Sequence, residues 1–386
     1  MIDVRSTLPK RLAGLVAISV SLFSAASTLA QDSGASSDFK ISGFLNITGG
    51  KIFSGSLDAN YAGPPTIDGN VCPCYTADWG NAGVYTKSFS FKPESRVGLQ
   101  LNYKPSANLN LVGQVVSRGS DTTPNVQWAY GGYKLDSHWE IQLGRKRVPL
   151  YYYSDFQDIG LSYPWVSPPP ELYGWEVTNY NGASLRYGNN FGTTNLTASM
   201  FTGSEKVKDS LYQKLYYPGK TEVSWKNIAG GDIEVNNGPL TARVVYMKAD
   251  FSTQNLAEGL DDSAKLNAFG FALNLDFDEW FLLSELTQLK RDFTLSQYSV
   301  KAPALTIGAG MRFGAWTPFI NYAKYTEKSS DFNLYAPQSY KRASLSLRYD
   351  IGASSTVKAQ LDRNTDSTNN FGGNNTLLRV SYDRVF

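Results

Sequence analysis

Leu305–Phe313 reads LTIGAGMRF, and its side chains alternate without a break. Leu305, Ile307, Ala309, Met311 and Phe313 share one face, and Thr306, Gly308, Gly310 and Arg312 share the other. A period of two marks a strand with one apolar and one polar side. Arg96–Tyr103 (RVGLQLNY), Ala268–Phe277 (AFGFALNLDF) and Arg342–Tyr349 (RASLSLRY) repeat the pattern. From about residue 38 onward the chain reads as one such run after another. No run beyond Ala30 is continuously apolar over the roughly 18–20 residues that a spanning helix needs. The mean hydropathy of −0.30, mildly polar, fits either a sandwich with its apolar faces inside or a membrane barrel with them outside.

The connections choose between the two. Long ones fall near 52–88, 148–177, 203–222, 250–264, 292–299, 327–338 and 364–375. Short ones, rich in Pro, Gly, Asn, Asp and Ser, fall near 104–108, 136–138, 189–193, 236–239, 276–279, 314–316 and 351–354. The two kinds alternate, apart from Gly119–Pro124, which is short where a long one is due. Long loops at one end and tight turns at the other mark a transmembrane barrel, and a sandwich has no reason to sort its loops this way. The runs predict an all-β, closed antiparallel barrel of about sixteen strands. Residues 125–135 and 223–235 alternate poorly. Closure follows from solvation, since in hydrocarbon every backbone N–H and C=O must find a partner within the protein. A ring this wide cannot be filled by its own wall side chains, so water is expected inside.

Both ends of the chain agree with export. Arg5, Lys10 and Arg11 precede the apolar Leu12–Phe23, and Thr28-Leu29-Ala30 has the small residues that a signal peptidase reads. Residues 1–30 are therefore read as a cleavable signal peptide and 31–386 as the barrel domain of a Gram-negative outer membrane. The leader holds three basic residues and one acidic, so the net charge of +2 falls to zero without it. Nothing in that balance attracts nucleic acid. In the last run, Leu378, Val380, Tyr382 and Phe386 share a face that Arg384 interrupts near the interface.

Gly144–Gly174 (GRKRVPLYYYSDFQDIGLSYPWVSPPPELYG) is the most informative loop. It has the length to fold into the lumen, and it carries Asp155, Asp158, Tyr163, Trp165 and Glu171 as candidate constriction residues. Parity places Arg96, Arg118, Arg186, Arg243, Arg312, Arg348, Lys358 and Arg379 on inward faces. Inward acids include Glu140, Asp232, Glu234, Glu285 and Asp362. Basic walls opposite an acidic loop set up a transverse field in a narrow aqueous gap. The same charges also serve as pairs that keep a lumen rigid and hydrated, and parity does not separate the two roles. The inward excess of Arg and Lys predicts a weak anion preference, and the aromatic loop allows a sugar or organic-acid preference. Strict alternation turns Arg145 and Arg147 outward with Lys146 inward, so a bulge before Pro149 or a position at the rim is expected.

Cys72-Pro73-Cys74 sits in the first long loop and, in an oxidising compartment, is open to a local or an intermolecular disulfide. His138, the single histidine, stands in the turn Asp136-Ser137-His138, a poor setting for a Ser–His nucleophile of an outer-membrane lipase. No metal or cofactor motif stands out.

With these residues in hand, the chain resembles the sixteen-stranded general porins of Gram-negative outer membranes over essentially its whole mature length. The resemblance rests on the leader, the loop parity, the third long loop after Gly144-Arg145, and Phe386. It implies a homotrimer that passes small hydrophilic solutes or ions, surrounded by outer-membrane lipid, with no enzymatic activity. The alternatives are a lipase-like barrel enzyme and a closed, adhesive barrel. Two features depart from the family: the second external loop is too short to latch onto a neighbour, and the third lacks the usual Pro-Glu-Phe-Gly-Gly stretch.

Overall fold

Each strand of the barrel pairs antiparallel with the next, and the ring closes on itself. In the computed structural model, which describes residues 38–120 and 123–386, the strands are β1 (Phe39–Ser56), β2 (Arg96–Tyr103), β3 (Leu109–Arg118), β4 (Asn125–Lys134), β5 (Trp139–Arg147), β6 (Asn179–Phe191), β7 (Thr194–Val207) and β8 (Glu222–Asn237). They continue as β9 (Leu240–Asn255), β10 (Leu260–Asp276), β11 (Trp280–Phe293), β12 (Ser299–Met311), β13 (Trp316–Thr326), β14 (Ser339–Ile351), β15 (Ser355–Asp366) and β16 (Asn374–Val385). Lys328–Ser329 briefly prolongs β13 against β12. β1 pairs with β2 on one side (Asn46↔Arg96) and with β16 on the other (Phe44↔Val385). Phe386 completes the seam by exchanging backbone hydrogen bonds with Gly43, whose missing side chain makes room for the terminal ring. The proposed leader, residues 1–30, lies outside the described residues.

Polarity runs opposite to that of a water-soluble protein. On β14 the exposed face carries Leu345, 58% exposed, with Leu347 and Tyr349, while Arg342 on the other face is 0% exposed. Burying charge and exposing leucine is costly in water and favourable in a bilayer around a polar interior. At the turn end, exposed Trp139, Phe277, Trp280, Phe313, Trp316 and Tyr349 form the aromatic girdle that such barrels place at the head-group level.

The sequence expectations differ from the structure in three places, each with a physical cause. Strands run farther than expected at the long-loop end: 203–207 and 250–255 are strand, and the fifth external connection shrinks to 256–259. Beyond the hydrocarbon both faces meet water, so the apolar alternation fades while the backbone ladder continues. The first connection is longer than expected, spanning 57–95 and containing two small hairpins, Thr66–Ile67 with Asn70–Val71 and Tyr75–Asp78 with Gly83–Tyr85. The poorly alternating stretches hold register shifts. Gln127 is the extra residue between Gln114↔Trp128 and Val115↔Val126, and Asn227-Ile228 interrupts β8 between Lys226↔Asp250 and Ala229↔Lys248. Inserted residues reset the parity, which a fixed period of two cannot follow.

Candidate functional site

The segment 148–178, between β5 and β6, organises the interior. At its start Gly144 has φ 131°, a conformation that suits glycine. Of the two arginines that follow, Arg145 pairs with Glu205 at 2.5 Å, and Arg147 turns into the buried interior to meet Asp158. Parity is therefore broken at Arg147, the last residue of β5.

Asp158 is the segment's main electrostatic anchor. Its carboxylate accepts from Arg96 at 2.7 Å, from Arg118 at 2.9 Å, and from Arg147. Burial acts to raise its pKa, but the three guanidiniums override burial and hold it well below the usual carboxylate range. Other wall groups grip the loop backbone. Lys358 Nζ donates to the carbonyls of Gly160 (2.5 Å) and Trp165 (2.6 Å), and Arg348 donates to those of Leu161 and Tyr163. Arg243 donates to the carbonyls of Pro149 and Tyr151, both at 2.7 Å. Glu285 accepts from the Tyr152 N–H at 3.0 Å and the Tyr173 hydroxyl at 2.5 Å, clasping both halves of the segment. Tyr163 and Trp165 are buried against Tyr153, Phe281 and Phe319. Glu176, near the return to β6, accepts from the Ser210 hydroxyl at 2.7 Å, and burial pushes its carboxyl up to about 7 against that hydrogen bond.

On β14, β15 and β16 most inward charges are shut away from water, Arg348 and Asp350 being only partly buried. Arg342, Lys358, Asp362, Arg379 and Asp383 are all fully buried. Arg379 bridges Asp362 (2.8 Å) and Glu94 (2.7 Å), Arg342 pairs with Glu171 (3.2 Å) and Asp362 (3.3 Å), and Lys358 pairs with Asp383 (3.2 Å). Glu94 comes from the first loop, as does Asp78, 3.9 Å from Arg96. Sequence reading singled out neither, because a loop residue without periodicity gives no sign of what it reaches. Arg342 was legible as an inward residue of its strand; its partners were not.

The wall from β4 to β9 differs. Arg186 is exposed, and Tyr130, Glu140, Lys146, Asp232 and Glu234 are half-buried. Asp155, the exposed carboxylate of the long segment, lies within electrostatic range of Tyr130, Lys146, Tyr180 and Arg243. Of the remaining candidates, Arg312 follows β12 at the turn end and pairs with Asp276 at 2.7 Å.

Above this interior Trp79 of the first loop stacks between Phe371 (centroids 5.0 Å apart) and Tyr340 (5.6 Å), with Tyr212 and Tyr216 beside them. A bond joins Cys72 to Cys74, and the Cys74 N–H donates to Gly372 O at 2.9 Å, tying the first loop to the last. His138 sits on the surface. Its Nδ1 lies 3.0 Å from the neighbouring Ser137 hydroxyl, while Asp136 accepts the N–H groups of His138 and Trp139 and so closes the turn.

No family model matches the sequence, and no curated protein matches it. Solved structures do share the fold. The outer-membrane channel DcaP of Acinetobacter baumannii superimposes with a TM-score of 0.59 at 14% identity, covering 93% of this chain and 100% of that one. The anion-selective porin of Comamonas acidovorans gives 0.56 at 16% identity, over 90% of this chain and 99% of its own. OmpT of Vibrio cholerae, an outer-membrane protein solved in a trimer form, gives 0.54 at 11% identity, again over 90% and 99%. Closed, sixteen-stranded, apolar outside and charged within, the chain has the fold of the Gram-negative outer-membrane porins.

Proposed function

We propose that this protein is a passive outer-membrane diffusion channel for small hydrophilic solutes or ions, working as a homotrimer without catalysis. The observation that carries the reading is the uneven interior: one wall is sealed by loops, while the other keeps charged groups in water. On this reading segment 148–178 narrows the lumen, and solutes pass between Asp155 and the β4–β9 wall. Lys146 and Arg186, with Glu140 and Glu234 beside them on the same wall, then face Asp155 across the gap, a transverse field of the kind that orders ions and dipolar solutes.

The anion preference read from the sequence counts inward cations such as Lys358 and Arg379, whose charges are buried and paired. With those withdrawn from the path, the proposal becomes a weakly selective channel with nearly balanced charge. Planar-bilayer recording of the purified protein tests it. Stepwise, ohmic conductance with a reversal potential close to zero in a salt gradient is expected. Folded protein that inserts without conducting sinks the channel reading, and a large reversal potential of either sign sinks the balanced path.

A further inference from the structure

The outer face of the barrel carries a basic patch that only the strand register reveals. Lys290 on β11 lies directly opposite Lys301 on β12, and Lys301 lies directly opposite Lys328. Lys324 on β13 lies directly opposite Lys341 on β14. Like charges facing each other across a ladder repel. The arrangement persists although Lys301, Lys324, Lys328 and Lys341 are exposed and none forms an ion pair with a described residue. Lys290 alone has an acid, Asp292, at 2.7 Å. The acids of β14 to β16 stand on the inner face with Arg342, Lys358 and Arg379, so none is placed to neutralise the patch.

Height in the membrane says what does. All five lysines lie within a few residues of the long-loop end of their strands, next to the apolar belt of Leu305, Ile320 and Leu345. A lysine there extends its stem along the hydrocarbon and its ammonium into the head groups. Two lysines elsewhere on the rim are satisfied within the chain: Lys265 pairs with Asp250 and Lys206 with Glu222, each at 2.7 Å. We propose that the β11–β14 patch binds the clustered phosphates of an anionic lipid in the leaflet at the long-loop end. The inference rests on the outer-membrane reading. It requires several closely spaced negative charges, because one phosphate leaves the facing pairs repelling.

The test uses the purified full-length protein in detergent and three probes: diphosphorylated lipid A, the same lipid with its phosphates removed, and inorganic phosphate. Two variants are compared, Lys301→Gln/Lys324→Gln/Lys328→Gln/Lys341→Gln and the control Lys206→Gln/Lys265→Gln. The first is expected to lose at least about tenfold in affinity for diphosphorylated lipid A, since each lysine near an anionic surface adds a comparable increment. The control should retain wild-type affinity. Equal binding by the first variant, equal binding of the dephosphorylated lipid, or full displacement by inorganic phosphate at equal concentration overturns the inference. Conductance is recorded for every protein. Wild-type conductance in the four-lysine variant shows that it is folded, and a wild type that does not conduct counts against the channel reading, not against the lipid site.

Discussion

Two walls of one barrel carry the same kinds of residue and put them to different use. On β14–β16 the inward Arg342, Lys358 and Arg379 are fully buried, each held by carboxylates or by the backbone of a loop. On β4–β9 the inward Lys146 and Arg186 keep contact with water, opposite the exposed Asp155. An inward arginine is therefore not by itself a channel-lining group. What decides is whether a loop lies over it: a covered charge has to be paired and then acts as a fastener, while an uncovered one stays solvated.

The comparison predicts a hierarchy of effects. The largest belongs to Asp158→Ala, which takes from three buried guanidiniums the carboxylate they share. Removing one partner of a buried pair costs about 3–5 kcal/mol, so thermal unfolding should fall markedly and single-channel records become noisy as the loop loosens. Unchanged stability would mean that the covered wall is not held by charge. Next is Arg379→Met, which leaves Glu94 and Asp362 short of their shared partner. It should destabilise by a few kcal/mol while leaving the reversal potential alone. A shift in selectivity without loss of stability would place Arg379 in the solute path and erase the distinction between the walls.

Arg186→Gln and Asp155→Asn are the mirror experiment. Each should change unfolding by less than about 0.5 kcal/mol, as exposed substitutions do. They should move the reversal potential in opposite directions, toward cations when Arg186 is neutralised and toward anions when Asp155 is. The smallest effect concerns pH. Glu176 has a carboxyl raised from 4.5 to about 7, so its contribution to the fold is fully present below about 4.5 and is lost as pH rises through about 7. Protection from hydrogen exchange in residues 174–178, corrected for the intrinsic rise of exchange with pH, should fall over that range, and Glu176→Gln should abolish the fall.

Much of the fold was legible. Leu305–Phe313 and Arg342–Tyr349 announce their two faces residue by residue, and the turns near 104–108, 276–279 and 351–354 stand where the structure has them. Misplaced boundaries cluster at the long-loop end and at the register shifts in β4 and β8, where one environment no longer alternates with another. The interior was legible only as an inventory. Asp155 and Asp158 stand three residues apart in one aromatic loop, yet one is exposed and the other is buried beneath three arginines. Nothing local distinguishes them.

The sequence by itself determined the barrel and its orientation to solvent, because a strand between lipid and water must alternate every second residue, and that requirement is written locally. The tertiary structure alone decided which inward charges meet water. Arg379 and Glu94 are 285 residues apart, and Lys358 reaches Gly160 across 198. Such pairings depend on where the first and third loops come to rest after the ring has closed. A charge carries no mark of a distant partner until the chain brings the two together.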